Sequence, residues 1–131
     1  LIPIICIGET GEQRARGDTL AVITQQIEES VPDEARECNF ILAYEPVWAI
    51  GSGKLPTIDE IKQVHTAIIN AVSKRIIKHV GVDVAQISVL YGGSVKPDNA
   101  GAILKLVEVS GVLVGGASLK ADDFVKIIAS L

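Results

Sequence analysis

Aromatic residues are scarce in this chain and methionine is absent: there are two Tyr, two Phe, one Trp and no Met among 131 residues. So few rings exclude the stacking platform that binds single-stranded nucleic acid. The formal net charge is −4, and basic residues form no cluster beyond KRIIK at 74–78. This balance argues against a nucleic-acid surface or a basic membrane-binding face. We expect neither partner, and any bound phosphate must be held locally.

Long apolar runs and paired cysteines are missing too. No run approaches the ~18 residues of a membrane span, and the first residues, LIPIICIG, lack the charged leader of a secretory signal. Cys6 and Cys38 show no CxxC spacing, and with only two histidines no metal site is expected. These features predict a soluble, cytoplasmic protein with reduced thiols.

The beginning of the chain also lacks something. It opens on Leu1, without an initiator Met, directly in an apolar run. Because 48% of the residues are hydrophobic, we expect an ordered chain rather than a disordered one. We interpret it as a piece cut from a longer domain.

Apolar patterning predicts alternating strands and helices. Four apolar runs, at 2–8, 40–45, 87–93 and 112–116, are typical of strands buried on both faces. Helical patterns or start signals follow them and predict helices over 19–31, 58–79, 97–107 and 121–130. Thr57 and Glu60 have the spacing of a capping box, and Pro97 suits a first helical turn.

The order βαβαβαβα predicts an α/β fold with parallel strands. Two architectures fit, a doubly wound sheet and a stretch of a (β/α)8 barrel. Four βα units cannot close such a barrel alone, because closure takes eight strands over ~250 residues. No linker or repeat divides the chain.

Glycine pairs end the third and fourth predicted strands, at the edge where α/β proteins bind ligands. Gly92–Gly93 and Gly115–Gly116 would let backbone N–H groups approach an anion such as phosphate. Either pair could instead be an ordinary tight turn. Ser94 could donate to the same phosphate or cap the turn before Pro97.

Glu45 ends the second predicted strand, and a glycine-rich segment follows it. The carboxylate could be a solvated strand end. Beside a phosphate site and beneath a closing loop, it could instead abstract a proton next to a carbonyl. His65 and His79 fall on the long predicted helix, so we interpret them as helix-surface or packing residues.

The segments AYEPVWAIGSGK (43–54), YGGSV (91–95) and VLVGGASL (112–119), in this order and spacing, resemble the triosephosphate isomerase family. The resemblance runs from CIGE (6–9) to GGASLK (115–120). It implies that residues 1–131 form the carboxyl-terminal half of a single (β/α)8 barrel domain, with four parallel βα units.

By this resemblance, Glu45 is the general base that moves a proton between adjacent carbons of dihydroxyacetone phosphate and D-glyceraldehyde 3-phosphate. The residues that hold the phosphate are Gly51, Ser94, Gly115 and Gly116. A mobile lid comprises Pro46, Val47, Trp48, Ala49, Ile50, Gly51, Ser52, Gly53 and Lys54. Tyr91 and Ser94 latch the closed lid, and Glu9 contacts Trp48 when the lid is open. No cofactor is implied.

The resemblance also implies what this chain lacks. The family's Asn and Lys after the first barrel strand, its catalytic histidine and its dimer loop belong to an upstream half. Without them, Glu45 has no electrophile to stabilise the enediolate, so we expect the isolated chain to be inactive.

Four alternatives stay open at this point. The half could bind phosphate without chemistry. It could self-associate through its open edges or pair with the upstream half, whereas the intact enzyme is expected to be a homodimer. Another phosphosugar isomerase or aldolase would leave EPVWAIGSGK unexplained.

Overall fold

The apolar runs form four short parallel strands flanked by helices. The structure is a computed structural model that describes residues 1–32, 40–77 and 87–131. The strands are β1 (Ile4–Ile7), β2 (Ile41–Tyr44), β3 (Ser88–Tyr91) and β4 (Gly111–Val112). The α-helices are α1 (Gly11–Ala15), α2 (Thr19–Ser30), α3 (Ile58–Ile77), α4 (Pro97–Leu104) and α5 (Ala121–Ile128). Single-turn 3-10 helices cover Val47–Ala49 and Gly116–Leu119.

The strands pair in chain order, β1-β2-β3-β4, and every pair is parallel. The predicted parallel α/β order is confirmed. The registers Ile7↔Tyr44 and Tyr44↔Tyr91 bring the carboxyl ends of three strands level with one another. Every loop that leaves a strand toward a helix therefore starts from one edge of the sheet.

One face of the sheet carries the core. Alternate strand residues point to the same face, and on this face they pack against the helices. The largest buried members on the sheet are Leu42, Tyr44 and Tyr91, and those on the helices include Ile23, Ile27, Ile61, Ile68 and Ile103. Burying each such side chain contributes about 1.5–3 kcal/mol, so the core fixes the strand ends that carry the loops.

The opposite face of β1 is open, so the prediction of a strand buried on both faces is wrong for β1 in this chain. Ile4 is 45% exposed, and the thiol-bearing Cys6 is exposed as well. The pattern IICI predicts a strand correctly. Burial of its second face, however, needs a second layer, which the described residues do not supply.

Helix starts follow their sequence signals. Thr57 N–H donates to Glu60 Oε2 at 2.7 Å, and Glu60 N–H donates to Thr57 Oγ1 at 3.2 Å, which completes the predicted capping box. The backbone hydrogen bond from Thr57 is the largest cause that lowers the pKa of Glu60. Pro97 is the first residue of α4, as predicted.

Two helices end earlier than the sequence predicts. The helix predicted through Val107 ends at Leu104, and the last helix ends at Ile128 rather than residue 130. Cys38, Lys78 and His79 lie outside the described residues. Within the described ranges, no helix combines the length and apolarity that a membrane crossing requires.

Candidate active site

The loops at the carboxyl edge of the sheet surround one cavity of about 830 Å³. Its lining includes Glu45 after β2, Ser94 after β3 and the glycines after β4. All five residues predicted to bind the reacting carbon or the phosphate line it: Glu45, Gly51, Ser94, Gly115 and Gly116. The structure thus brings together residues that lie up to 71 positions apart, from residue 45 to residue 116.

The Glu45 backbone is held by the neighbouring strand, and its carboxylate faces the cavity. Its N–H donates to the carbonyl of Ile7 at 2.7 Å, which continues the β1–β2 ladder by one residue. Its side chain lies against the backbone of Gly92, where any added Cβ would stand 2.6 Å from Glu45 Cγ. The glycine is therefore needed for the carboxylate to occupy this place.

Cys6 is a neighbour of Glu45 that the sequence analysis missed. Partial desolvation is the first cause that raises the pKa of the Cys6 thiol, and the negative charge and hydrogen bond of Glu45 are the next. The register pairs Cys6 with Ala43, two residues before Glu45, and positions two apart share a face. The thiol therefore stays protonated and can donate to the carboxylate.

The predicted phosphate loop after β4 is exposed and unobstructed, whereas Gly93 in the loop after β3 is buried. A Cβ added at Gly115 or Gly116 would meet no atom within 4 Å, so the space beside them is open to a ligand. The turn is held from within, because Ser118 donates to the Gly115 carbonyl through both its N–H (2.9 Å) and its Oγ (2.8 Å). Backbone N–H groups at the start of this 3-10 turn are suited to an anion.

Ser94 does not cap α4. The side chain of Asn99 does so, since its Oδ1 accepts from Lys96 N–H at 2.8 Å and its Nδ2 donates to the Ser94 carbonyl at 2.9 Å. The capping alternative for the Ser94 hydroxyl is therefore wrong. The hydroxyl-bearing residue lines the cavity instead.

The predicted lid, residues 46–54, begins in a 3-10 turn and ends in glycine-supported turns. Gly51 and Gly53 have φ of +67° and +73°, a conformation that favours glycine. The Ser52 hydroxyl joins these turns, donating to the Trp48 carbonyl at 2.8 Å and accepting from Lys54 N–H at 3.1 Å. Most of the lid is exposed, whereas Pro46 and Ala49 are buried.

Glu9 contacts the lid at Trp48. Its carboxylate is buried, with 1% exposure, and Oε1 accepts from Trp48 Nε1–H at 2.8 Å. The Tyr44 hydroxyl donates to the same carboxylate, at 3.1 Å to Oε2. Burial first, and then the Glu9 charge, raises the pKa of Tyr44 well above its ordinary value. Tyr44 therefore remains a donor that supports the carboxylate holding Trp48.

Tyr91 is buried beneath the loop at 92–94. Its hydroxyl has no hydrogen-bond partner among the described residues, and burial raises its pKa to about 12. The predicted latch to the lid is therefore unmade in this structure. Although Tyr91 looks isolated in the sequence, its ring lies 6.2 Å from that of Tyr44 and 6.3 Å from that of His65.

His65 belongs to this buried group and lies in the core rather than on the helix surface. It is fully buried, and its Nδ1 donates to the Glu108 carbonyl at 3.1 Å. Its ring meets Tyr44 edge-on, with centroids 5.9 Å apart. Burial lowers its pKa to about 4, so the imidazole is neutral near pH 7.

His65 should make the chain less stable as the pH falls from 6.5 toward 4. In this interval the imidazole of the unfolded chain, with its ordinary pKa of 6.5, is protonated, whereas the imidazole of the folded chain stays neutral. At about 1.4 kcal/mol per pKa unit, the free energy of unfolding drops by about 3 kcal/mol. Urea denaturation at pH 7, 5.5 and 4 should show this drop and a smaller one in His65→Gln. Parallel curves for the two chains would contradict it.

Arg14 is a second residue that the sequence analysis missed. Its guanidinium stacks on the indole of Trp48 and pairs with Glu60. Little in the sequence indicates this role, because an arginine in a polar segment is usually a solvated surface residue.

Among the described residues, no group of three or more His, Cys, Asp or Glu is arranged to hold a metal ion.

Comparison with known proteins places these features in a family. A family model described as triosephosphate isomerase matches residues 1–131. The triosephosphate isomerase of Xanthobacter flavus is 49% identical over 127 residues, which cover 97% of this chain and 49% of the relative. That of Chelativorans sp. (strain BNC1) is 47% identical over 131 residues, covering 100% of this chain and 50% of the relative.

A solved structure extends the likeness to the fold. The crystal structure of triosephosphate isomerase from Bartonella henselae at 1.6 Å resolution aligns with a TM-score of 0.85 at 44% identity. The alignment covers 99% of this chain and 50% of that chain. The chain therefore spans about half the length of the relatives it matches. The prediction of half a (β/α)8 barrel is confirmed.

Proposed function

Because the chain belongs to the triosephosphate isomerase family, we propose that it supplies the base and the phosphate loops for interconverting dihydroxyacetone phosphate and D-glyceraldehyde 3-phosphate. One observation carries the proposal. Glu45, Gly51, Ser94, Gly115 and Gly116 come from three loops and line a single cavity. Proton abstraction from a small phosphosugar requires groups that bind its phosphate and a carboxylate that reaches its reacting carbon, both in one cavity.

The chemistry follows from this arrangement. Backbone N–H groups of Gly115 and Gly116 and the Ser94 hydroxyl hold the phosphate and so fix the distance to the carbonyl carbon. Glu45 removes a proton from the carbon next to the carbonyl, which leaves an enediolate. It then returns the proton to the neighbouring carbon, while the hydroxyl proton moves from one oxygen of the enediolate to the other, a transfer that a group of the upstream half would carry. The lid at 46–54 closes over the cavity through Gly51 to exclude water.

The described residues offer Glu45 no histidine as an electrophile. His65 is buried against Glu108 and is absent from the cavity lining. Lysines do line the cavity, but all three of them, Lys96, Lys120 and Lys126, follow the phosphate segments in the chain. We therefore expect the 131-residue chain alone to bind phosphate without turnover, and to become active only with an upstream half.

The open face of β1 also supports an active site that is divided between this chain and an upstream half. Ile4 and Cys6 are exposed on it, and β1 and β4 are the outer strands of the four. An upstream set of strands would cover the apolar face and pair with both edges, which unpaired strands otherwise leave open to association. Self-association of two copies is the competing proposal, and a homodimer of the intact enzyme remains a prediction.

A paired experiment tests the proposal. The chain is assayed alone and after mixing with the residues that precede the matching region in the Bartonella henselae isomerase. We expect turnover of glyceraldehyde 3-phosphate only in the mixture. We also expect 2-phosphoglycolate to shift the amide resonances of Gly115 and Gly116 in the chain alone.

The outcomes separate the alternatives. Turnover by the chain alone would contradict the need for an upstream electrophile. Saturable phosphoglycolate binding without turnover in an assembled mixture would favour a phosphate-binding half with no chemistry. A Gly116→Asp chain is the matched control, because its carboxylate should abolish the resonance shifts by repelling the ligand. Sedimentation of the chain alone reports whether two copies associate.

A further inference from the structure

The lid's tryptophan is held from two directions. The Arg14 guanidinium carbon lies 3.9 Å from the centroid of the Trp48 ring, over its face. At the ring edge, Trp48 Nε1–H donates to the buried Glu9 carboxylate at 2.8 Å. The adjacent lid residue Val47 donates its N–H to the Glu9 carbonyl at 3.0 Å. The indole therefore cannot leave this position without breaking contacts on both its face and its edge.

Arg14 also reaches the segment beyond the other end of the lid. Its Nη2 donates to Glu60 Oε1 at 2.5 Å. Glu60 Oε2 is in turn held by the N–H and hydroxyl of Thr57, at 2.7 and 3.0 Å. Thr57 comes three residues after Lys54, the last lid residue. One guanidinium thus links the first turn of the lid with the helix start that follows it.

A cleft beside this contact shows that both lid ends meet at Arg14. Arg14 and its neighbours on α1 line one part of the cleft, and Trp48, Lys54 and Leu55 line the rest. The helix that presents Arg14 is fixed by its own capping box between Thr10 and Gln13. The Arg14 and Glu60 side chains are 35% and 40% exposed, so the contact is partly screened by solvent.

We propose that Arg14 is a positioning residue that sets the resting position of the lid, clamping Trp48 on its face while its ion pair with Glu60 anchors the clamp to α3. Only arginine does both, because its planar guanidinium can stack on an indole while its N–H groups donate to a carboxylate. A lysine ammonium stacks less well and pairs less directionally. The inference rests on the proposed function in one respect, that residues 46–54 act as a lid over the cavity.

Trp48 is the only tryptophan in the chain, so the protein's tryptophan fluorescence reports on the environment of this ring. Acrylamide quenching is measured on the 131-residue chain and on Arg14→Met, with far-UV circular dichroism to establish folding. We expect the quenching constant to rise about two- to fivefold, the population change that a partly exposed cation–π contact supports. Arg14→Lys should fall between the two chains.

Two further variants distinguish the Arg14 contact from a general effect of removing a charge. Arg16→Met is the matched control, because Arg16 lies two residues away and pairs with the half-exposed Asp18, at 2.8 Å. Its quenching should equal that of the parent chain. Glu60→Gln removes the ion pair and can still cap α3, so it should raise quenching in the same direction.

The proposal fails if folded Arg14→Met quenches like the parent chain. If Arg14→Met does not fold, an unchanged constant in Glu60→Gln overturns it instead. A purely structural role for Arg14 would lower the melting temperature and leave Trp48 quenching at native temperatures unmoved. The measurement needs no substrate and no upstream half. Failure of the isomerase assay therefore leaves it intact, and its failure says nothing against Glu45 and the phosphate loops.

Discussion

Gly8→Ala is expected to lower the free energy of unfolding by about 3 kcal/mol or more. A Cβ at this position would collide with the Glu45 carbonyl, which is backbone and cannot swing aside. The Gly8 backbone cannot shift away from this clash, because the side chain of Gln26 on α2 binds both its N–H and its carbonyl. Its N–H donates to Gln26 Oε1 at 2.8 Å and its carbonyl accepts from Gln26 Nε2 at 3.0 Å.

Urea denaturation followed by circular dichroism measures the effect. The matched control is Gly101→Ala within α4, where the added Cβ would sit 3.7 Å from Ser130 Cβ, an ordinary contact. That change should be neutral or stabilising by up to about 1 kcal/mol, since alanine favours a helix interior over glycine. Equal midpoints for Gly8→Ala and the parent chain would show that the β1–β2 ends can separate without cost.

Glu45→Gln is expected to reduce kcat by about 10²- to 10⁴-fold in the chain assembled with an upstream half, the usual worth of a general base. The amide keeps the shape of the side chain but cannot accept a proton from carbon. Phosphate binding through the β4 loop should survive, because Gly115 and Gly116 are exposed and the substitution leaves their backbone N–H groups in place. Steady-state kinetics should therefore show the loss in kcat with a much smaller change in KM.

Two companions make the Glu45 result specific. Gly92→Ala would place a Cβ 2.6 Å from Glu45 Cγ and push the carboxylate aside, so it should also lower kcat while the fold persists, because a flexible side chain can yield. Glu12→Gln, an exposed carboxylate on α1, is the control and should be silent. A Glu45→Gln assembly with parent-like kcat would remove Glu45 from the mechanism.

The proposed role of Arg14 connects the position of the lid with the chemistry at Glu45. The Trp48 indole lies between Arg14 and Glu9, and its lid carries Ile50 and Gly51 on the cavity wall. In the proposed mechanism, closing the lid would exchange contacts at Trp48 for contacts at the cavity. The Tyr91 hydroxyl, buried beneath the loop at 92–94, has no partner among the described residues. The balance between the two sets of contacts would decide how long the cavity stays open.

The sequence by itself determined the local features. Runs of apolar residues gave four strands in the predicted order, and the capping box at Thr57 and Glu60 marked the start of α3. The positions of Glu45, Ser94 and the glycine pairs after strands followed from the same reading. These predictions succeeded because periodicity, capping and glycine turns depend on neighbours in the chain.

The tertiary structure alone decided which side chains meet. Strand register placed the Cys6 thiol beside Glu45, and docking of α3 onto the sheet joined His65 to Tyr44 and Tyr91. Packing of α1 brought Arg14 to Trp48. Such contacts depend on the relative placement of distant elements, which no local pattern encodes. The open face of β1 has the same origin, since strand formation is set within the chain and burial by whatever layer packs against it.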